Sequence, residues 1–191
     1  DDLNNLINSN NYSHYILKEP HSTWESYQVI LGDHMYVNKG YRLSKIVKNG
    51  FSSLKILKKN IFAFKKENQN IKLHFDFFHG VGILDKAIDV LDEKERNDFR
   101  KFVNTNKSFN RENMFICRSK KLMNEYFLSV FTWLEKCEQI FGFDLKGYAK
   151  TRVYTFLAER YISYWFNKYS NPLCWPVFFF DTNKNKLNLR N

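Results

Sequence analysis

The chain has 191 residues, 43% of them hydrophobic, with 30 Lys and Arg against 20 Asp and Glu for a formal net charge of +10. That length suits one domain with its own core, or the larger part of a somewhat bigger one. No stretch approaches the roughly 18 apolar residues needed to span a bilayer, and three scattered cysteines in apolar surroundings, Cys117, Cys137 and Cys174, point to reduced core thiols rather than a disulfide framework or a zinc site.

The chain opens at Asp1 in an Asn-rich stretch without an initiating Met, as a fragment or processed product would, and no signal peptide is visible. Residues 2–11 read as a short helix and 14–17 as a strand closed by Glu19-Pro20. Ser22-Thr23-Trp24-Glu25 has the form of a capping box, which predicts a helix to about Leu31 with Gly32 ending it. The interval 32–40 reads as a loop. Apolar residues at helical spacing over 41–47 and 52–64, separated by Asn49-Gly50, predict a helical hairpin.

The aromatic run 73–80 fits either a strand or the start of a helix. His74 and His79 within it are five apart, about 140° around a helix, so they make no local metal pair of the His-Glu-x-x-His kind. A histidine among phenylalanines is usually a hydrogen-bonded core group. His79 is the better candidate for catalysis, because Gly80-Val81-Gly82 behind it permits close backbone approach to a ligand. That glycine pair lacks the third glycine of a dinucleotide fingerprint. Residues 83–91 predict a helix, Asp92-Glu93-Lys94-Glu95 caps another that runs through Val103, and 104–111 reads as a polar loop delivering Asn113 to a buried strand over 114–117.

Ser119 is an N-cap for a helix over 120–141, where Met123, Tyr126, Phe127, Val130, Leu134, Cys137 and Phe141 recur at helical spacing and Gly142 supplies the stop. A second helix is predicted over 149–169. Its stripe of Val153, Phe156, Leu157, Tyr161, Tyr164 and Trp165 contains Arg160, and Arg152, Glu159 and Phe166 recur on the other side. A helix apolar all round is covered all round, so Glu159 and Arg160 are expected to be buried at least in part, each with a partner. After the Asn171-Pro172 turn, 176–180 reads as a strand and 181–191 as a polar tail.

These segments carry a resemblance. Asn113-Met114-Phe115-Ile116, the helix ending in Trp133-Leu134-Glu135-Lys136-Cys137-Glu138, Arg152-Val153-Tyr154 and Phe156-Leu157-Ala158-Glu159-Arg160-Tyr161 resemble the C-terminal half of a bacterial glycosyltransferase-like family. That family is catalogued mainly as a domain of unknown function and occurs in capsule, exopolysaccharide and lipopolysaccharide gene clusters. Ser22 to Tyr27 resembles it more weakly, and the family's N-terminal nucleotide-binding part has no counterpart here. The resemblance implies one helix-dominated α/β domain over 1–180, with a few short strands arranged like the later part of an A-type glycosyltransferase. It implies a nucleotide-sugar donor, a glycan acceptor and a place in the cytoplasm, at the inner face of the membrane.

Sugar transfer needs a base for the acceptor hydroxyl, positive charge on the departing diphosphate, and polar groups that orient both sugars. Glu159 is the first candidate base and Asp76 a weaker one, with His79 the histidine to consider. Asn113, Arg152 and Arg160 are the candidate substrate-binding residues, and with Glu159 they match recurring positions of the resembled family. No Asp-x-Asp occurs, Asp85 and Asp89 read as a surface pair, and no cofactor is identifiable. A divalent cation, Mn²⁺ or Mg²⁺, would take its ligands from the absent N-terminal part.

The excess positive charge is mostly lysine and spread along the chain, which argues against a nucleic-acid groove. The densest group, Lys55, Lys58, Lys59, Lys65 and Lys66, lies on an amphipathic segment and fits a solvated face or an anionic membrane surface. The alternative to an enzyme is a non-catalytic module binding a glycan or a partner in a polysaccharide assembly system.

Overall fold

The computed structural model describes residues 22–39, 41, 43–181 and 186–189, so the helix expected over 2–11 and the strand over 14–17 lie outside the described residues. The architecture is α/β and helix-dominated, with short strands. A 3-10 turn at Ser22–Ser26 leads into β1 (Val29–Gly32) and β2 (His34–Tyr36). Helices α1 (Leu43–Lys48), α2 (Gly50–Lys59), α3 (Ile71–His79), α4 (Ile83–Asp89) and α5 (Glu93–Thr105) follow, then β3 (Ser108–Asn110) and β4 (Phe115–Cys117). Helices α6 (Lys120–Phe141), α7 (Tyr148–Thr151) and α8 (Val153–Tyr169) precede β5 (Leu173–Trp175), β6 (Phe178–Asp181) and β7 (Lys186–Leu189).

Residues 29–32 form a strand, not the end of a capped helix. Val29, Ile30 and Leu31 are all buried, as a central strand covered on both faces requires. β1 pairs antiparallel with β4, Leu31 opposite Phe115, and parallel with β5, Ile30 opposite Leu173. The Ser22 motif supports only a single 3-10 turn, whose Trp24 packs edge-to-face on Trp175 at 5.5 Å. The expected loop over 32–40 contains β2, and the expected polar loop over 104–111 contains its partner β3, with Met35 opposite Phe109. Neither strand shows period-two patterning over more than three residues, too short a window to be read from sequence.

β4 is an edge strand. Ile116 is exposed while Phe115 turns inward against Tyr126 and Phe166. In the segment expected as a tail, residues 186–189 pair with β6 as β7.

Both long helices form where the periodicity predicted them. Ser119 Oγ accepts the Leu122 N–H of α6 at 3.2 Å, and the buried side chains Leu122, Tyr126, Val130, Trp133 and Cys137 recur every three or four residues. Trp133 Nε1–H donates to the Ala87 carbonyl at 2.7 Å, tying α6 to α4. The helix expected over 149–169 is divided at Arg152 into α7 and α8, and Thr151 Oγ1 bonds back to the carbonyls of Gly147 and Tyr148, the local competition that weakens a helix. In α8 the seven residues 160–166 are all buried, because α3, α5, α6 and β3 pack around it. Among the described residues no helix is long and apolar enough to cross a membrane.

One contact fixes β3 on this central helix. Ser163 Oγ accepts the Asn110 N–H at 2.6 Å in a fully buried setting. Ser163→Ala strands that N–H without water, so urea denaturation is expected to show a loss of about 1–3 kcal/mol.

Candidate functional site

Arg160 lies inside the protein at 1% exposure, and four of its five N–H groups are answered. Its Nη1 donates to the Glu159 carboxylate at 2.7 Å and to the Phe156 carbonyl at 3.0 Å. Its Nη2 donates to His74 Nδ1 at 3.2 Å and to His79 Nε2 at 3.4 Å, while Nε has no partner. The guanidinium plane sits 4.2 Å from the centre of the Phe109 ring on β3, and His79 stacks on Phe156 at 3.9 Å.

Accepting from a guanidinium requires an unprotonated ring nitrogen, so His74 carries its proton on Nε2 and His79 on Nδ1. Burial and the Arg160 charge push His79 down to about 3. Burial, then Arg160, then His79 hold His74 well below its ordinary value. Arg160 is lowered to about 10 by burial against the pull of Glu159, and remains charged at neutral pH.

Glu159 faces outward from this core, its side chain 14% exposed. Its carboxyl is raised by burial and by the like charge of Glu112, although Arg160, the backbone N–H of Glu112 and the charge of Arg152 favour the ionised form. Glu112 and Asn113 have φ of 79° and 47°, a left-handed turn that Asn tolerates and Glu rarely adopts. Asn113 Nδ2–H donates to the Thr155 carbonyl at 3.0 Å, clamping this turn to α8 one helical turn before Glu159.

Of the residues singled out in the sequence, Glu159, Arg160 and His79 therefore come together, joined by His74 and Glu112. Asn113 is a clamp whose Oδ1 is itself buried and unpaired. Arg152 is exposed, lies over the rings of Tyr148 and Phe156, and its charge favours the ionised form of Glu159. Asp76 is occupied elsewhere. Its Oδ1 accepts the Gly82 N–H at 3.0 Å and its Oδ2 the Lys72 ammonium at 2.7 Å, closing the turn from α3 to α4. Glu112 carried no sequence signal, since nothing in its surroundings forecast a positive φ. His74 could have been found only by placing α3 against α8.

A groove of about 590 Å³ runs between the start of α5, α6 and α8, with Trp133, Tyr161, Trp165 and Tyr169 among its walls. Tyr161 and Trp165 stand about 160° and 120° around the helix from Glu159, and Tyr169 lies about 15 Å further along it, so the carboxylate is not among the walls of the groove. Among the described residues no three His, Cys, Asp or Glu side chains gather as metal ligands.

A family model described as Domain of unknown function (DUF4422) matches residues 5–171. The chain belongs to this family. Comparisons with curated proteins and with solved structures found no significant match. Among the described residues of this DUF4422 chain, the Glu159–Arg160 pair, embedded among histidines, is the one place where a buried cation holds a partly accessible acid.

Two outcomes follow from the geometry. Arg160→Met leaves Glu159 without its counter-charge and frees both imidazoles, and is expected to lower stability by about 3–5 kcal/mol. Adding Glu159→Gln to it should recover part of that loss, as read from denaturation midpoints of the single and double variants. The second concerns pH. Because the folded-state values of His74 and His79 lie below that of an unfolded histidine, the unfolded chain takes up protons first as pH falls. The stability they contribute is full above pH ~6.5 and declines below it toward the folded values. Thermal melts from pH 7 to pH 5 should lose up to about 2 kcal/mol per ring. His74→Phe should flatten that dependence.

Proposed function

We propose that the protein transfers a sugar from a nucleotide-sugar donor to a growing surface polysaccharide, with Glu159 as the base that takes the proton of the acceptor hydroxyl. The observation that supports this is the state of Glu159: a carboxyl raised by burial, partly reachable, and fixed by Arg160 and the Glu112 N–H. A carboxylate brought nearer to neutrality and prevented from rotating is suited to proton abstraction. The resemblance noted in the sequence supports the same reaction class and the correspondence with the later part of an A-type glycosyltransferase.

In this reading the acceptor oxygen gives its proton to Glu159 and forms a bond to the anomeric carbon. The bond from that carbon to the diphosphate oxygen breaks, and the electron pair leaves with the nucleoside diphosphate. Arg152, exposed and steadied on Tyr148 and Phe156, is placed to meet anionic phosphate oxygens. Arg160 is a positioning residue, since a guanidinium at 1% exposure does not reach a substrate. Asn113 positions the Glu112 N–H through its bond to α8.

The test is release of nucleoside diphosphate from a panel of nucleotide sugars in the presence of glycan acceptors. Glu159→Gln is expected to lower turnover by at least ~100-fold with donor binding unchanged. Unchanged turnover would remove Glu159 as the base, and glycan binding without donor binding or turnover would establish a non-catalytic module instead.

A further inference from the structure

From His34 to Lys66 the chain contains no Asp or Glu and nine Lys and Arg. The structure leaves most of residues 44–66 exposed. At about 100° per residue, Phe51, Leu54, Lys55 and Lys58 of α2 fall within about 100° of one another, and all four are exposed. The opposite side of α2 is anchored: Ile56 is buried with Ala63 and Phe77, and Ser53 Oγ–H donates to the Ile46 carbonyl at 2.7 Å.

The turn after α2 continues the same character. Ile61 and Phe62 stand out from it because side-chain amides pin its backbone: Asn60 Oδ1 accepts the Phe62 N–H, Asn68 Nδ2–H donates to the Phe62 carbonyl, and Gln69 Nε2–H to the Phe64 carbonyl. Phe51 is 76% exposed and Ile61 72%, large apolar side chains that a solvated face has no reason to hold out. The Lys55 and Lys65 ammonium groups lie 4.5 and 4.6 Å from the Phe51 and Phe62 ring centres, so charge and apolar surface are interleaved.

We propose that this face docks on an anionic lipid bilayer. Phe51, Leu54, Ile61 and Phe62 would enter the boundary between headgroups and acyl chains, while the lysines around them meet the lipid phosphates. Charge complementarity commits the face to an anionic occupant. The aliphatic side chains choose between anionic occupants, because a phosphate backbone needs only cations and a stacking surface needs rings, whereas Leu54 and Ile61 gain nothing unless they leave water. The proposal stands apart from the sugar-transfer reading and shares no residue with it.

The test is co-sedimentation of the protein with phosphatidylcholine vesicles, pure or containing about a third phosphatidylglycerol. Partitioning is expected to favour the anionic vesicles by at least ~10-fold and to weaken with added salt. Phe51→Ser with Ile61→Ser, and separately Lys55→Gln with Lys58→Gln and Lys59→Gln, should each reduce it by at least ~10-fold. All five side chains are exposed, so thermal melts should stay unchanged. Equal partitioning to both vesicles, or a Phe51 and Ile61 variant that binds as well as the native protein, overturns the proposal. Retention on duplex DNA that survives that apolar variant while vesicles do not bind overturns it in favour of nucleic acid.

Discussion

A guanidinium taken out of water is tolerable only if its hydrogens find acceptors and its charge finds a counter-charge, and the centre of this protein is arranged to provide both for Arg160. The acceptors come from two helices: a carboxylate and a carbonyl from α8 itself, two imidazoles from α3. An aromatic ring on β3 covers one face of the cation. Lysine would not serve, because its three hydrogens radiate from a single nitrogen and cannot span the separated acceptors that a planar fork meets. The same fork registers α3, α8 and β3 against one another. A shift of α3 by one residue would remove both histidines, which lie five apart.

The interaction also has a direction. Arg160 is sealed and Glu159, its neighbour in sequence, is not, so the buried charge is expressed at the surface as an acid that cannot swing away. From the other side the left-handed turn at Glu112 and Asn113 presents a backbone N–H to the same carboxylate. Two consecutive non-glycine residues with positive φ cost on the order of 1–3 kcal/mol each, and the Asn113 bond to α8 helps hold that conformation.

Much of the helical framework was legible in the sequence, because Tyr126, Val130 and Cys137 keep helical spacing over about three turns and Ser119 and Gly142 mark the ends of the helix. The burial of Glu159 and Arg160 was legible for the same reason, as charges on a helix with no polar side. What was not legible depended on partners distant in sequence. Val29 to Leu31 follow a convincing cap motif, yet they are a strand because β4 and β5, more than eighty residues away, line up on either side of them. The histidines looked like alternatives competing for a role, and only the crossing of α3 over α8 makes them joint acceptors. Asn113 was expected to reach toward a ligand, and the unforeseen backward turn at Glu112 sends its amide to Thr155 instead.

The account rests on two neutral imidazoles receiving hydrogen bonds from one buried cation, and long-range proton–nitrogen NMR of the histidine side chains observes this directly. The account predicts that at pH 6 the His74 ring is neutral with its proton on Nε2 and the His79 ring neutral with its proton on Nδ1, and that neither titrates near pH 6.5 as an unfolded histidine would. Two imidazolium rings at pH 6, or the opposite tautomers, would contradict it.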